Sequence, residues 1–118
     1  MKTLMSADNA PAPVGPFSPG LSVGDWVFLS GQGGFDPKTG KMISDDIAEQ
    51  TEQTFRNIDV LLVAAGASFE DVVSCLVHIT DLAQFATFNA IYAEKFPGVK
   101  PVRTTVRGQT LSPACSSK

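Results

Sequence analysis

Two stretches of this chain space their apolar residues as helices do, and several shorter ones alternate as strands do. After Ser44-Asp45-Asp46, whose short oxygen-bearing side chains can cap free N–H groups, Ile47, Thr51, Phe55, Ile58, Leu62 and Ala65 recur at steps of four and three. Gly66 follows where a left-handed cap belongs, which predicts a first long helix ending there. Val72 to Thr80 alternates as a strand, with Val73, Cys75, Val77 and Ile79 on an apolar side and Val72, Ser74, Leu76, His78 and Thr80 on a mixed one. A second helix is expected from Asp81, with Gln84 completing a capping box and Leu82, Phe85, Asn89, Tyr92 and Phe96 on one stripe. Asn89 interrupts that seam and must find a partner there. Pro97-Gly98 ends the helix, and the β-branched run Pro101-Val102-Arg103-Thr104-Thr105-Val106 reads as a strand. Upstream, Leu21-Ser22-Val23 and Trp26-Val27-Phe28-Leu29-Ser30 flank Gly24-Asp25, a pair suited to a tight hairpin. Ala10 to Gly20 holds four prolines and cannot be regular helix.

Two strands, a helix, a strand, a helix and a strand make an α+β sandwich, with both helices on one face of a mixed sheet of four or more strands. At 118 residues the chain is read as one domain spanning 1–118, with 1–14 as an arm free to be flexible. The opposite sheet face is left bare. Leu76, Val72 and one side of the Trp26–Leu29 strand are too apolar for a fully wetted surface, and self-association is the simplest cover. Arg103, Thr105 and Arg107 point together, so the arginine is expected on the face, or at the rim, where another subunit would sit.

Charge and chemistry narrow the function. Nine Lys+Arg against twelve Asp+Glu give a net charge of −3, so no basic face exists to track phosphates and nucleic acid is not the expected partner. The N-terminus lacks an apolar signal core and no apolar run approaches membrane-spanning length. A cytoplasmic protein with no membrane association is expected, with organellar import left open. Cys75 and Cys115 suggest neither a disulfide framework nor a metal site, and His78 has no second ligand at metal-binding spacing. Gly31 to Gly34 has the composition of a phosphate cradle, but Phe35 and Met42 stand where a P-loop needs glycine and Ser or Thr. Arg103 is the strongest candidate. Its guanidinium stays charged and offers parallel N–H donors that fit a carboxylate edge, so a small carboxylic acid is the first ligand to consider.

Gly15-Pro16-Phe17-Ser18, Ser30-Gly31-Gln32, Asp36-Pro37-Lys38-Thr39-Gly40, Gln50-Thr51-Glu52-Gln53 with Asn57, Ala64-Ala65-Gly66-Ala67-Ser68, Asp71-Val72-Val73 and Phe85 to Tyr92 lie in one order with Pro101-Val102-Arg103. Together they resemble the reactive intermediate deaminase family (RidA, or YjgF; also labelled L-PSP endoribonucleases) from about Ala10 to Leu111. The resemblance implies a chorismate-mutase-like fold, a homotrimer with clefts between neighbouring subunits, and no metal or organic cofactor. It implies hydrolysis of 2-imino acids (2-iminobutanoate, 2-iminopropanoate) and their enamines to 2-oxo acids and ammonia. By the same matching Arg103 holds the substrate carboxylate, Ser30 and Gly31 line the cleft, Asn89 forms a polar wall, and Phe17 falls where many members carry tyrosine. Thr105, pointing with Arg103, joins the substrate-binding candidates. An imine is already electrophilic, so Arg103 serves catalysis by orienting it beside a water.

Two departures bear on turnover. Phe17 lacks the usual hydroxyl. The family's last strand carries a glutamate that lands near Lys118 here, whereas residues 112–118 read as an irregular tail without a carboxylate side chain. The alternatives are a non-catalytic trimer that binds carboxylates or other metabolites, and an endoribonuclease or translation inhibitor. The acidic balance and the lack of a His/Lys/Glu hydrolytic set weigh against the last.

Overall fold

In the computed structural model residues 1–5, 9–10, 12–13 and 15–108 are described. Strand β1, Lys2–Met5, pairs antiparallel with β2, Gly20–Val23, which in turn pairs antiparallel with β3, Trp26–Leu29. The β2–β3 turn is the expected two-residue connection, since Val23 faces Trp26 and Gly24 takes φ 58°, the left-handed conformation that favours glycine. β1 is not anticipated by the sequence reading. Lys2-Thr3-Leu4-Met5 is too short to establish an alternation, and its pairing with residues 20–23 crosses a proline-rich segment that carries no local signal.

Helix α1, Ile47–Ala64, starts and stops where its capping residues dictate. Asp46 accepts a hydrogen bond from the Glu49 N–H at 2.9 Å, and Gly66 adopts φ 76° just past the end. A single 3-10 turn, Phe69–Asp71, leads into β4, Ser74–Ile79. Because the strand begins at Ser74, the expected alternation fails at its edge: Val73 is exposed, whereas Val72 packs against the core. Helix α2, Phe85–Lys95, also begins later than its pattern suggests. Asp81 accepts from the Ala83 N–H and caps a one-turn 3-10 helix, Leu82–Gln84, in place of the expected box with Gln84, and Leu82 is exposed instead of joining the buried stripe. β5, Val102–Arg107, runs parallel to β4 with Cys75 opposite Arg103 and Val77 opposite Thr105.

The architecture is α+β, two helices with mixed strands, as the element order implies. The single sheet of four or more strands is corrected in one respect. Among the described residues the hydrogen bonding divides into an antiparallel unit β1-β2-β3 and a parallel pair β4-β5. The core is largely aromatic: Phe55 meets Phe69, Tyr92 and Phe96 edge-on at 5.8–6.1 Å between ring centroids, with Ile58, Val72 and Val77 around them. Each sheet turns an apolar side outward. Leu4, Trp26, Phe28, Leu76 and Val102 are 59–70% exposed, so the bare-face expectation holds for all but Val72. No helix among the described residues is long and apolar enough to cross a membrane. The expected tail at 112–118, with the Lys118 position, lies outside the described residues.

Candidate functional site

Arg103 is the second residue of β5, and the parallel register puts it on the same side as Cys75. Cys75 and Val77 pack against the aromatic core, so Arg103 points to the helix side of the sheet pair and not to the outer apolar face. The expectation of the outer face is corrected: Arg103 lies on the helix side of the strand pair. The physical reason is that β5 pairs only with β4 among the described residues, which leaves its helix side partly uncovered at the edge.

Helix α2 supplies what the guanidinium meets there. Phe85, Phe88, Asn89 and Tyr92 stand at i, i+3, i+4 and i+7, one helical stripe, and all four reach Arg103. The guanidinium carbon lies 4.7 Å from the Tyr92 ring centroid, 5.6 Å from that of Phe85 and 5.9 Å from that of Phe88. Arg103 Nη1 donates to Asn89 Oδ1 at 2.9 Å. This is the partner that the polar interruption of the seam requires. Among the described residues no carboxylate lies within ion-pair distance of Arg103, which remains exposed with most of its donors open.

Two polar atoms near this cluster are unsatisfied. Thr105 Oγ1, on the Arg103 side of β5, and the Tyr92 hydroxyl are both buried without a hydrogen-bond partner of normal geometry. Burial, with the Cys75 thiol as its polar neighbour, pushes the Tyr92 phenol well above its ordinary value, against a smaller opposing pull from the Arg103 charge.

Phe17 and Ser30 form a separate group. With Lys2, Ser18, Leu21 and Phe28 they line an open cavity of about 400 Å³ that does not include Arg103, Asn89 or Thr105. The Ser30 hydroxyl donates to the Ser18 carbonyl and its N–H to the Pro19 carbonyl, so this side chain braces the turn and is not poised as a nucleophile. Gly31 follows directly, exposed, at the end of β3. One protomer therefore brings Arg103, Asn89 and Thr105 together and Phe17 and Ser30 together, but not the two groups into one cavity. His78 lies exposed on the outer side of β4, and no metal-binding cluster of His, Cys, Asp or Glu occurs among the described residues.

Sequence reasoning missed Phe85, Phe88 and Tyr92 as neighbours of Arg103, although Phe85 and Tyr92 share the helical stripe of Asn89 and Phe88 stands three residues after Phe85 and four before Tyr92. It also missed Asn57 and Gly34. Asn57 Nδ2 donates to the Gly33 and Phe35 carbonyls at 3.0 Å each, and a Cβ at Gly34 would sit 2.9 Å from the Gln50 backbone, so the loop leaving β3 is clamped to α1.

Residues 7–116 match the family model described as Endoribonuclease L-PSP. The chain is 42% identical over 110 residues to Reactive Intermediate Deaminase A, chloroplastic, of Arabidopsis thaliana, a match spanning 93% of this chain and 59% of that protein. It is 35% identical over 111 residues to the 2-iminobutanoate/2-iminopropanoate deaminase of Mus musculus, covering 94% and 82%. The crystal structure of E. coli TdcF with bound serine superposes with a TM-score of 0.85 at 33% identity, covering 93% of this chain and 88% of that one.

Proposed function

The chain belongs to the Endoribonuclease L-PSP family, in which reactive intermediate deaminases are found, and on that premise we propose that it hydrolyses 2-imino acids such as 2-iminobutanoate and 2-iminopropanoate. Water adds to the C=N carbon, the resulting carbinolamine expels ammonia, and a 2-oxo acid remains. The observation that carries this reading is Arg103 itself: a cation at the edge of a sheet, with no carboxylate within ion-pair distance among the described residues and most of its donors open to solution. Its forked N–H groups would take the substrate carboxylate and hold the imine carbon for attack.

The working cleft is formed between subunits of a homotrimer. Two features support this. The Phe17–Ser30 cavity and the Arg103 cluster are separate on one protomer, and the outward sheet sides carry Trp26, Phe28, Leu76 and Val102. Apposing two copies would cover the apolar residues and join the half-sites. The named relatives support the substrate class, and the bound serine of TdcF is an amino acid whose carboxylate is of the kind Arg103 would take. A second reading, a trimer that binds carboxylates without turnover, draws on the lack of a carboxylate general base beside Arg103 among the described residues.

The deciding experiment couples the purified protein to a threonine dehydratase and follows imine disappearance. Wild type is expected to accelerate the loss, and Arg103→Ala to lower kcat/KM by roughly 100-fold, the effect of losing a charge-assisted contact. Equal rates in both, with Arg103-dependent binding of 2-oxo acids, would transfer the conclusion to the binding protein.

A further inference from the structure

The guanidinium of Arg103 is held on a surface that nothing in the imine chemistry demands. A strand arginine in water samples many rotamers, and ordering it on ligand binding carries an entropic cost. Here four residues of one helical stripe meet it: three aromatic rings within 6 Å of its carbon, and one amide oxygen accepting from Nη1. The rings act on the plane of the cation, the amide on its rotation within that plane.

We infer that Phe85, Phe88 and Tyr92 form a rack that positions the Arg103 guanidinium, with Asn89 selecting which of its edges faces a ligand. The inference rests on the reading that Arg103 receives a carboxylate and adds what sets the strength of that contact. Asn89 is then a positioning residue that acts through the arginine, its Oδ1 accepting from Nη1. Its uncharged state matters. An aspartate there would place an anion about 2.9 Å from the guanidinium and satisfy from within the charge that the ligand should satisfy.

The test reads the arginine and the ligand separately. The Arg103 Nε–H signal in a nitrogen–proton NMR spectrum, assigned by its loss in Arg103→Lys, reports the rack without any ligand. Titration with 2-oxobutanoate reports the binding. Phe88→Leu should move the Arg103 signal by removing a ring current and weaken binding by up to roughly tenfold, and Phe88→Tyr should restore both. Asn89→Asp should weaken binding by at least roughly 100-fold while the melting temperature holds or rises, a split that a merely structural asparagine would not produce. An Arg103 signal and an affinity indifferent to Phe88→Leu and Asn89→Asp would overturn the rack. If wild type bound no 2-oxo acid while the signal moved as described, the rack would be supported and the carboxylate reading would fail on its own.

Discussion

The two helices treat their polar residues in opposite ways. Helix α1 buries Thr51, Gln53 and Asn57, and each is satisfied within the protomer: Thr51 Oγ1 donates to the Ile47 carbonyl, Gln53 Nε2 donates to Asn57 Oδ1, Arg56 donates to Gln53 Oε1, and Asn57 donates to Gly33 and Phe35. Helix α2 buries Tyr92 with its hydroxyl unpartnered and engages Asn89 with a cation whose other donors remain open. A buried polar group with every bond made stabilises one arrangement of the scaffold. A group left wanting marks the place where the molecule meets something else. α1 is accordingly the clamp that holds the β3 loop, and α2 is the wall of the site.

This contrast breaks most readily at Asn57. Replacing it with alanine orphans two loop carbonyls and the Gln53 amide, so Asn57→Ala should lower unfolding free energy by about 3 kcal/mol in a denaturant titration. A loss below about 1 kcal/mol would mean that water replaces those bonds and that α1 is no clamp. Gly34 tests the same clamp through shape. A Cβ 2.9 Å from the Gln50 backbone cannot be accommodated without a shift, so Gly34→Ala should destabilise by about 1–3 kcal/mol, and a wild-type stability would show the loop to be loose.

The smallest effect belongs to α2. Tyr92→Phe keeps the ring and removes an unsatisfied hydroxyl, so stability at neutral pH should stay within about 0.5 kcal/mol of wild type or rise. The difference appears in alkali. The folded state keeps the Tyr92 proton above the ordinary value of 10.0 at which the unfolded chain releases it, so the native state binds more protons there. This ionisation leaves stability unchanged below pH 10, and stability falls as the pH climbs from there towards the higher folded-state value. Tyr92→Phe should lack its share of this decline. Tyr92 is the single tyrosine in the chain, so phenolate absorbance reads its ionisation directly, and a midpoint near 10 would contradict the burial argument.

Legibility in the sequence followed the range of the interactions. Asp46, Gly66, and the Gly24-Asp25 turn act within a few residues, and each is where the pattern puts it. Asn89 announced its need for a partner by interrupting an apolar seam, and the partner is Arg103. Lys2–Met5 carries too few residues to betray a strand, and the true start of β4 at Ser74 reverses the roles expected of Val72 and Val73. The 3-10 turn at Leu82–Gln84 delays α2 because Asp81 bonds to a nearer N–H than a capping box would use. Asn57 gives no sign from its neighbours that its partners lie more than twenty residues back.

By itself the sequence determined the two helices, the strands β2 to β5, the caps at Asp46 and Gly66, the cation at 103 and the acidic balance, because these depend on near neighbours or on side-chain chemistry alone. Only the tertiary structure decided which side of β5 Arg103 occupies, which four side chains surround it, and that Phe17 and Ser30 stand apart from it in one protomer. Strand register accounts for this: a one-residue slip between β4 and β5 would carry Arg103 to the other face, and no local pattern at residues 102–107 sets that register.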